Sequence, residues 1–277
     1  MKGVIMYSDV SVLKNKKLFI FDMDGTIYLG NKVFPFAISF IDHLRKNGKK
    51  ILFFTNNASR APNTYYERLK KMGFSPEMDE IMTAGDITIE FLRRKRKGKK
   101  VYLVGTPDLE RNFRERGIEL LSGSEEKADI VVTSFDLTLT YEKLKNACRF
   151  IMNGAEFFST HPDLNCPTEN GFIPDSGAIS AFVTASTGKE PTYFGKPYKE
   201  TIDMISEFSG VSKEDMCIFG DRLYTDIALG KRHGVTSILV YTGETTKNDV
   251  EKAEEKDKPD FAFDSLENIY KIFITKE

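Results

Sequence analysis

Short apolar runs alternate along this chain with stretches in which apolar side chains recur every three or four residues. Leu18–Phe21 and Ile51–Phe54 are runs of four, which suits strands buried on both faces. Between them Phe36, Phe40, Ile41 and Leu44 keep helical spacing, and Gly48 stands where that helix should stop. Pro62 can open a second helix carrying Tyr65, Leu69 and Met72, closed by Gly73. The rhythm continues with strands over Val101–Val104, Ile130–Thr133 and Phe157–Thr160. A helix is predicted over Tyr141–Met152, with Leu144, Cys148, Ile151 and Met152 on one side, and another over Ser176–Thr187, ending at Gly188. After Gly195-Lys196-Pro197 come a helix to Phe208, the strand Met216–Phe219, a helix from Thr225 towards Arg232, the strand Ser237–Tyr241 and a last helix over Leu266–Ile274. Alternating strands and helices predict an α/β fold, a doubly wound parallel sheet with helices on both faces.

Composition narrows the function classes. The 277 residues suffice for one large domain or two smaller ones with a sizeable core. A formal net charge of -1 gives no global field that would recruit nucleic acid or an acidic membrane. No apolar run is long enough to cross a bilayer, and MKGVIMYSDVSVLKNKK lacks the apolar stretch and cleavage site of a signal peptide. Cys148, Cys166 and Cys217 are odd in number, without a CxxC, which argues against a disulfide framework and against a zinc site. A reducing cytoplasm is the simplest compartment. The basic run Arg93–Lys100 could meet a phosphate backbone, but no aromatic interleaves it. Its other reading is a solvated helix end before a turn at Gly98, with cations where the helix dipole favours them.

Four polar segments follow apolar strands or open helices, and these carry the candidate chemistry. Asp22-Met23-Asp24-Gly25-Thr26 succeeds Leu18–Phe21. Ligands of open parallel sheets bind beyond the carboxyl ends of strands, and two aspartates two residues apart point to one side in extended chain. Gly25 allows a sharp turn that turns amides towards an anion. Thr55-Asn56-Asn57 succeeds Ile51–Phe54 and offers a hydroxyl and amides to phosphate oxygens. Lys196 precedes a helix and could supply a point charge. Gly220-Asp221-Arg222-Leu223-Tyr224-Thr225-Asp226 adds a second carboxylate pair after Met216–Phe219. Each segment alone also reads as a turn or a helix N-cap. Together they would gather at the carboxyl edge of one sheet.

This order and spacing resembles the haloacid dehalogenase superfamily, whose motifs are DxDG[TV], a Ser/Thr, a Lys and GDxxxD. FTNN, FGKP and GDRLxTDI look like its NagD / 4-nitrophenylphosphatase branch, subclass IIA, over nearly the whole chain from Leu18 on. The resemblance implies a Rossmann-like core at 1–85 and 191–277, with an inserted α/β cap of C2 type at 86–190. It implies a Mg²⁺-dependent phosphatase acting on a small phosphorylated metabolite, as a monomer or homodimer, without nucleic-acid or membrane partners. Asp22 would be the nucleophile and Asp24 the acid/base. Thr55 and Lys196 would hold the phosphoryl oxygens, with help from Gly25, Thr26, Asn56 and Asn57. The metal ligands would be Asp22, the Asp24 carbonyl and Asp221, with Asp226 acting through water or from behind. In relatives a cap loop matching Thr160-His161-Pro162-Asp163-Leu164-Asn165-Cys166-Pro167 lies over the site, so His161, Asp163 and Asn165 are candidate leaving-group contacts; the other reading of the loop is turn chemistry.

Two rival functions fit parts of the pattern. Receiver-type signalling modules combine the same groups around a phospho-accepting aspartate, but they are shorter and place the acceptor after a later strand. Phosphomutases of the superfamily usually carry smaller helical caps. A dehalogenase would not need Asp24.

Overall fold

The computed structural model describes residues 10–168 and 171–275, so residues 1–9 of the N-terminal segment read against a signal peptide lie outside the described residues. Six strands form one sheet in the order Phe261–Phe263, Thr236–Val240, Met216–Gly220, Leu18–Phe21, Lys50–Thr55, Ile81–Thr83. Leu18–Phe21 runs parallel to both neighbours, Phe21 standing level with Phe53 on one side and with Phe219 on the other. The chain steps from this central strand outward to Ile81–Thr83 and later returns on the opposite side with Met216–Gly220. The order therefore reverses between Leu18–Phe21 and Met216–Gly220, where a doubly wound sheet opens a crevice beyond its strand ends.

Aromatic packing fixes these strands. All four residues of Leu18–Phe21 are buried. Phe21 stacks on Phe219 at 4.7 Å between ring centroids and meets the edge of Phe40 at 6.1 Å, geometries that add to simple burial. Phe40 comes from the helix Ala37–Lys46, whose buried face is Ala37, Phe40, Ile41 and Leu44. Phe36, expected on that face, instead precedes the helix at φ +65° and is 42% exposed. Its ring leans on Tyr270, 6.1 Å away, on the predicted helix Leu266–Ile274.

The chain packs as two compact units. One holds the residues up to Phe54, Tyr65–Met82 and those from Ile205 on; the other holds Thr55–Thr64 and Thr83–Met204. The second unit is wider than 86–190 for identifiable reasons. Thr106 donates its hydroxyl to the Ser59 carbonyl at 2.7 Å and Asp108 accepts from the Ala61 amide at 2.9 Å, which ties in the 55–64 stretch. Thr192–Tyr193 is itself the edge strand of a four-stranded parallel sheet completed by Glu156–Ser159, Ile130–Thr133 and Val101–Val104. This second unit is thus α/β in its own right. The helix Tyr141–Met152 has its predicted limits but a shifted buried face, with Leu144, Ala147, Phe150 and Ile151 inside and Met152 64% exposed.

The basic run ends the helix Ala84–Lys95, with Arg93 and Arg94 both bound to Glu90, Arg96 to Glu156 and Lys99 to Asp129. Gly98 turns at φ +75°. Among the described residues no helix is long and apolar enough to cross a membrane.

Candidate active site

The parallel register that aligns Phe21 with Phe219 also brings together the residues that follow them. Asp22 donates its amide to the Phe219 carbonyl at 2.8 Å, and Asp221 lies just past the end of the neighbouring strand. Asp226 enters from the turn Leu223–Ile227, wound more widely than the α-helix expected there, before the helix Ala228–His233. Carboxylate oxygens of Asp22, Asp221 and Asp226 all fall within 4.8 Å of one another.

Three carboxylates so close need a countercharge. Asp221 is 3% exposed. Its Oδ2 accepts from the Glu244 amide at 2.7 Å, while its buried Oδ1 has no hydrogen-bond partner. Asp226 accepts from the Arg222 amide and the Thr225 hydroxyl, both at 3.3 Å. Burial, then the charges of Asp22 and Asp226, push the Asp221 carboxyl up to about 7. A buried acceptor without a partner, in a set of hard oxygen donors, fits a divalent cation such as Mg²⁺.

Missing side chains make room for this cluster. Gly25 sits at φ +93°, and a Cβ there would lie 2.5 Å from Asp221 Oδ2. A Cβ on Gly243 would overlap the same carboxylate, and one on Gly220 would overlap Asp226. Gly243→Ala is therefore expected to displace Asp221 and weaken binding of Mg²⁺ by roughly tenfold or more, read by calorimetric titration with the metal; an unchanged titration would mean the cluster tolerates the methyl.

Asp24 sits in a tight turn. The amides of Thr26, Ile27 and Tyr28 donate to the Met23 carbonyl, and that of Gly25 donates to the Tyr28 carbonyl at 2.7 Å. The Asp24 side chain is 57% exposed and lies 4.0 Å from the Arg68 guanidinium. Arg68 also covers the Tyr28 ring and donates to the Gly30 carbonyl at 2.6 Å. The partial burial of Asp24 raises its carboxyl above the ordinary aspartate value, against the pull of Arg68. Such a group holds a proton more readily, as an acid catalyst must. Thr26, expected to touch phosphate, is instead fully buried.

The remaining predicted residues belong to the second unit. Thr55 closes the strand Lys50–Thr55 and accepts from the Asn57 amide at 3.2 Å. Asn57 Oδ1 accepts from the Ser59 amide and hydroxyl, so this side chain shapes a turn. Asn56, expected as a substrate contact, is 7% exposed and spends its amide group inside the protein. Its Oδ1 accepts from the Lys196 amide at 2.7 Å, and its Nδ2 donates to the Lys196 carbonyl at 3.0 Å and to Asp163 at 3.1 Å.

His161, expected to face a leaving group, is wholly buried. Its Nε2–H donates to Asp175 Oδ1 at 2.8 Å, and Nδ1 lies 2.9 Å from the Thr160 hydroxyl. Burial works against its imidazolium, but Asp175 and then Asp163 outweigh this and raise its pKa. With both ring nitrogens engaged, His161 is a framework residue and not a substrate contact. Asn165 is exposed at the start of the hairpin Asn165–Thr168/Gly171–Pro174.

Asp175, Arg68 and Gly243 escaped the sequence reading. Asp175 had a signal, since it caps the predicted helix Ser176–Thr187 and accepts from the Ser176 amide at 2.6 Å. Nothing in the sequence connects Arg68 or Gly243 to the aspartates.

A family model described as haloacid dehalogenase-like hydrolase matches residues 19–119, and one described as HAD-hydrolase-like matches 193–269. An acid sugar phosphatase of Staphylococcus saprophyticus is 35% identical over 259 residues, spanning 94% of this chain and 98% of the relative. The crystal structure of a 4-nitrophenylphosphatase from Thermotoga maritima is 44% identical with a TM-score of 0.88, covering 94% of this chain and 98% of that one. A glycerol phosphate phosphatase from Mycobacterium tuberculosis, solved in complex with magnesium, is 26% identical with a TM-score of 0.85, over 93% of this chain and 77% of that one.

Proposed function

The chain belongs to the haloacid dehalogenase-like hydrolases, and from that premise we propose that it is a Mg²⁺-dependent phosphatase of small phosphate monoesters. The observation that carries the reading is the triad Asp22, Asp221 and Asp226, with the orphaned Oδ1 of Asp221, at the reversal point of the sheet. Asp22, Asp221 and the Asp24 carbonyl would hold the cation, with Asp226 behind them. When bound, Mg²⁺ supplies positive charge against the phosphoryl oxygens and the crowded carboxylates.

The chain's own groups perform the transfer. An Asp22 oxygen attacks phosphorus as the bond to the leaving oxygen breaks, and Asp24 gives that oxygen its proton. Water then attacks the aspartyl-phosphate, Asp24 takes a proton from it, and Asp22 is regenerated as phosphate departs. Lys196 and Thr55 meet the phosphoryl oxygens, whose charge must be neutralised in a loose transition state. The segment 86–190 acts as the cap that selects the leaving group. A cytoplasmic monomer or homodimer is part of the same reading.

A sugar phosphate is the favoured substrate class, because an acid sugar phosphatase is among the relatives that match almost end to end. Purified protein with Mg²⁺ is expected to hydrolyse 4-nitrophenyl phosphate. In a panel of sugar phosphates, nucleoside monophosphates, phosphoglycolate and glycerol phosphate, at least one hexose or pentose phosphate should give the highest kcat/KM. A preference for nucleotides would replace the substrate class, and inertness towards every monoester would overturn the phosphatase reading.

A further inference from the structure

We propose that Asn56 is a positioning residue that fixes Lys196 by clasping both backbone groups of that residue, and that Asp163 locks the clasp. This rests on the role of Lys196 in the phosphatase reading. The geometry is contained in one compact unit. Asn56 Oδ1 accepts from the Lys196 amide, and Nδ2 donates to the Lys196 carbonyl. The second Nδ2 hydrogen goes to Asp163 Oδ2. A backbone N–H only donates, while a carbonyl and a carboxylate only accept, so a single orientation of the Asn56 amide satisfies all three partners. A flipped amide would set its oxygen against the Lys196 carbonyl and the Asp163 carboxylate. Such complementary pairing of buried polar groups is costly to break, because each stranded group loses its solvation.

The surroundings leave this clasp little slack. Lys196 is 2% exposed and Asn56 is 7% exposed. Gly195 lies at φ +72°, where a Cβ would come 2.8 Å from Asn56 Oδ1 and 2.9 Å from the His161 Cβ. The Gly195 carbonyl accepts from the Tyr198 amide at 2.9 Å and the Thr201 hydroxyl at 2.7 Å, which holds the far side of the turn. Asp163 is anchored in turn, because its own carbonyl accepts from the Gly177 amide at 2.8 Å. Both backbone groups of Lys196 are thus referenced to Asn56, the residue after Thr55, and through Asn56 to the loop that carries His161 and Asp163. The long ammonium arm starts from a fixed root, and less of its freedom remains to be lost when it meets a phosphoryl group.

The test is a double-mutant cycle on kcat for 4-nitrophenyl phosphate at saturating Mg²⁺, with Asn56→Ala, Asp163→Ala and Lys196→Ala made singly and in pairs. Asn56→Ala is expected to lower kcat at least tenfold in the wild-type background and less than twofold in the Lys196→Ala background. Asp163→Ala should show a smaller loss that likewise vanishes without the lysine side chain, and it keeps the test open should Asn56→Ala fold poorly. Additive losses would overturn the proposal, as would a Lys196→Ala enzyme as fast as wild type. A loss from Asp163→Ala that appears in KM and changes with the leaving group would assign Asp163 to the substrate instead and overturn its locking role. An inert wild type would strike at the phosphatase reading, whereas an active wild type with additive variants would strike only at the clasp.

Discussion

Replacing Asp22 with Asn is expected to abolish turnover of 4-nitrophenyl phosphate, lowering kcat by about 10³-fold or more, as loss of a covalent nucleophile does elsewhere. The substitution keeps the volume and leaves the backbone amide that bonds to Phe219 in place, so the fold should survive. It removes the charge and with it the attacking oxygen. The carboxamide also relieves part of the crowding with Asp221 and Asp226. Because Asp22 raises the Asp221 carboxyl, the variant should hold Asp221 ionised to a lower pH than wild type. The check is kcat by stopped assay together with thermal stability. A variant that folds normally and retains more than a tenth of the wild-type rate would remove Asp22 from the nucleophile's position and favour direct attack by water.

The contrast between the aspartates and the cap loop explains what could be read from sequence. Asp22 and Asp221 each follow a strand of four or more buried residues, and strand ends are legible from apolar runs. Parallel pairing then brings them together without any long-range information beyond the alternation of strand and helix. The same logic recovered Val101–Val104, Ile130–Thr133, Ser176–Thr187 and Leu266–Ile274 to the residue. It failed where a side chain's role depends on a partner distant in sequence. Asn56 and Lys196 are 140 residues apart, and their clasp has no periodic signature. His161 in a Pro- and Asp-rich loop looked available to a ligand, yet Asp175 claims it from 14 residues away. Phe36 kept the helical spacing of its neighbours and still fell outside the helix, because spacing does not say where the first turn begins. Polar residues of a site are thus readable as a set when strands deliver them, while their division between ligand contact and framework is decided by tertiary hydrogen bonds.

Removing Mg²⁺ with EDTA is expected to reduce the rate by about 10²-fold or more, and excess Mg²⁺ should restore it, since metal charge is worth several kcal/mol in such a transition state. The metal-free protein should also carry a pH signature. Burial and the charges of Asp22 and Asp226 push the Asp221 carboxyl up to about 7 in the folded protein, against 3.8 for an ordinary aspartate. Between those values the native state holds a proton that the unfolded chain releases. Its contribution to stability is fully present below about pH 4 and is lost as pH rises through 7. Above that point Asp221 carries its charge, and the carboxylate oxygens of Asp22, Asp221 and Asp226, all within 4.8 Å of one another, offer a cation hard oxygen donors. On the proposed reading Mg²⁺ would bind the ionised form of Asp221, so its stabilisation should grow over the interval in which the metal-free protein weakens. At a hundredfold excess over Kd such binding is worth about 2.7 kcal/mol, or on the order of 5 °C in Tm. Thermal melts with and without Mg²⁺ should therefore converge at pH 5 and separate by pH 8. In Asp221→Asn the pH dependence of that separation should flatten. Equal Mg²⁺ shifts across the range in the wild type would mean that the cation does not compete with a proton at Asp221, and would move the metal away from this cluster.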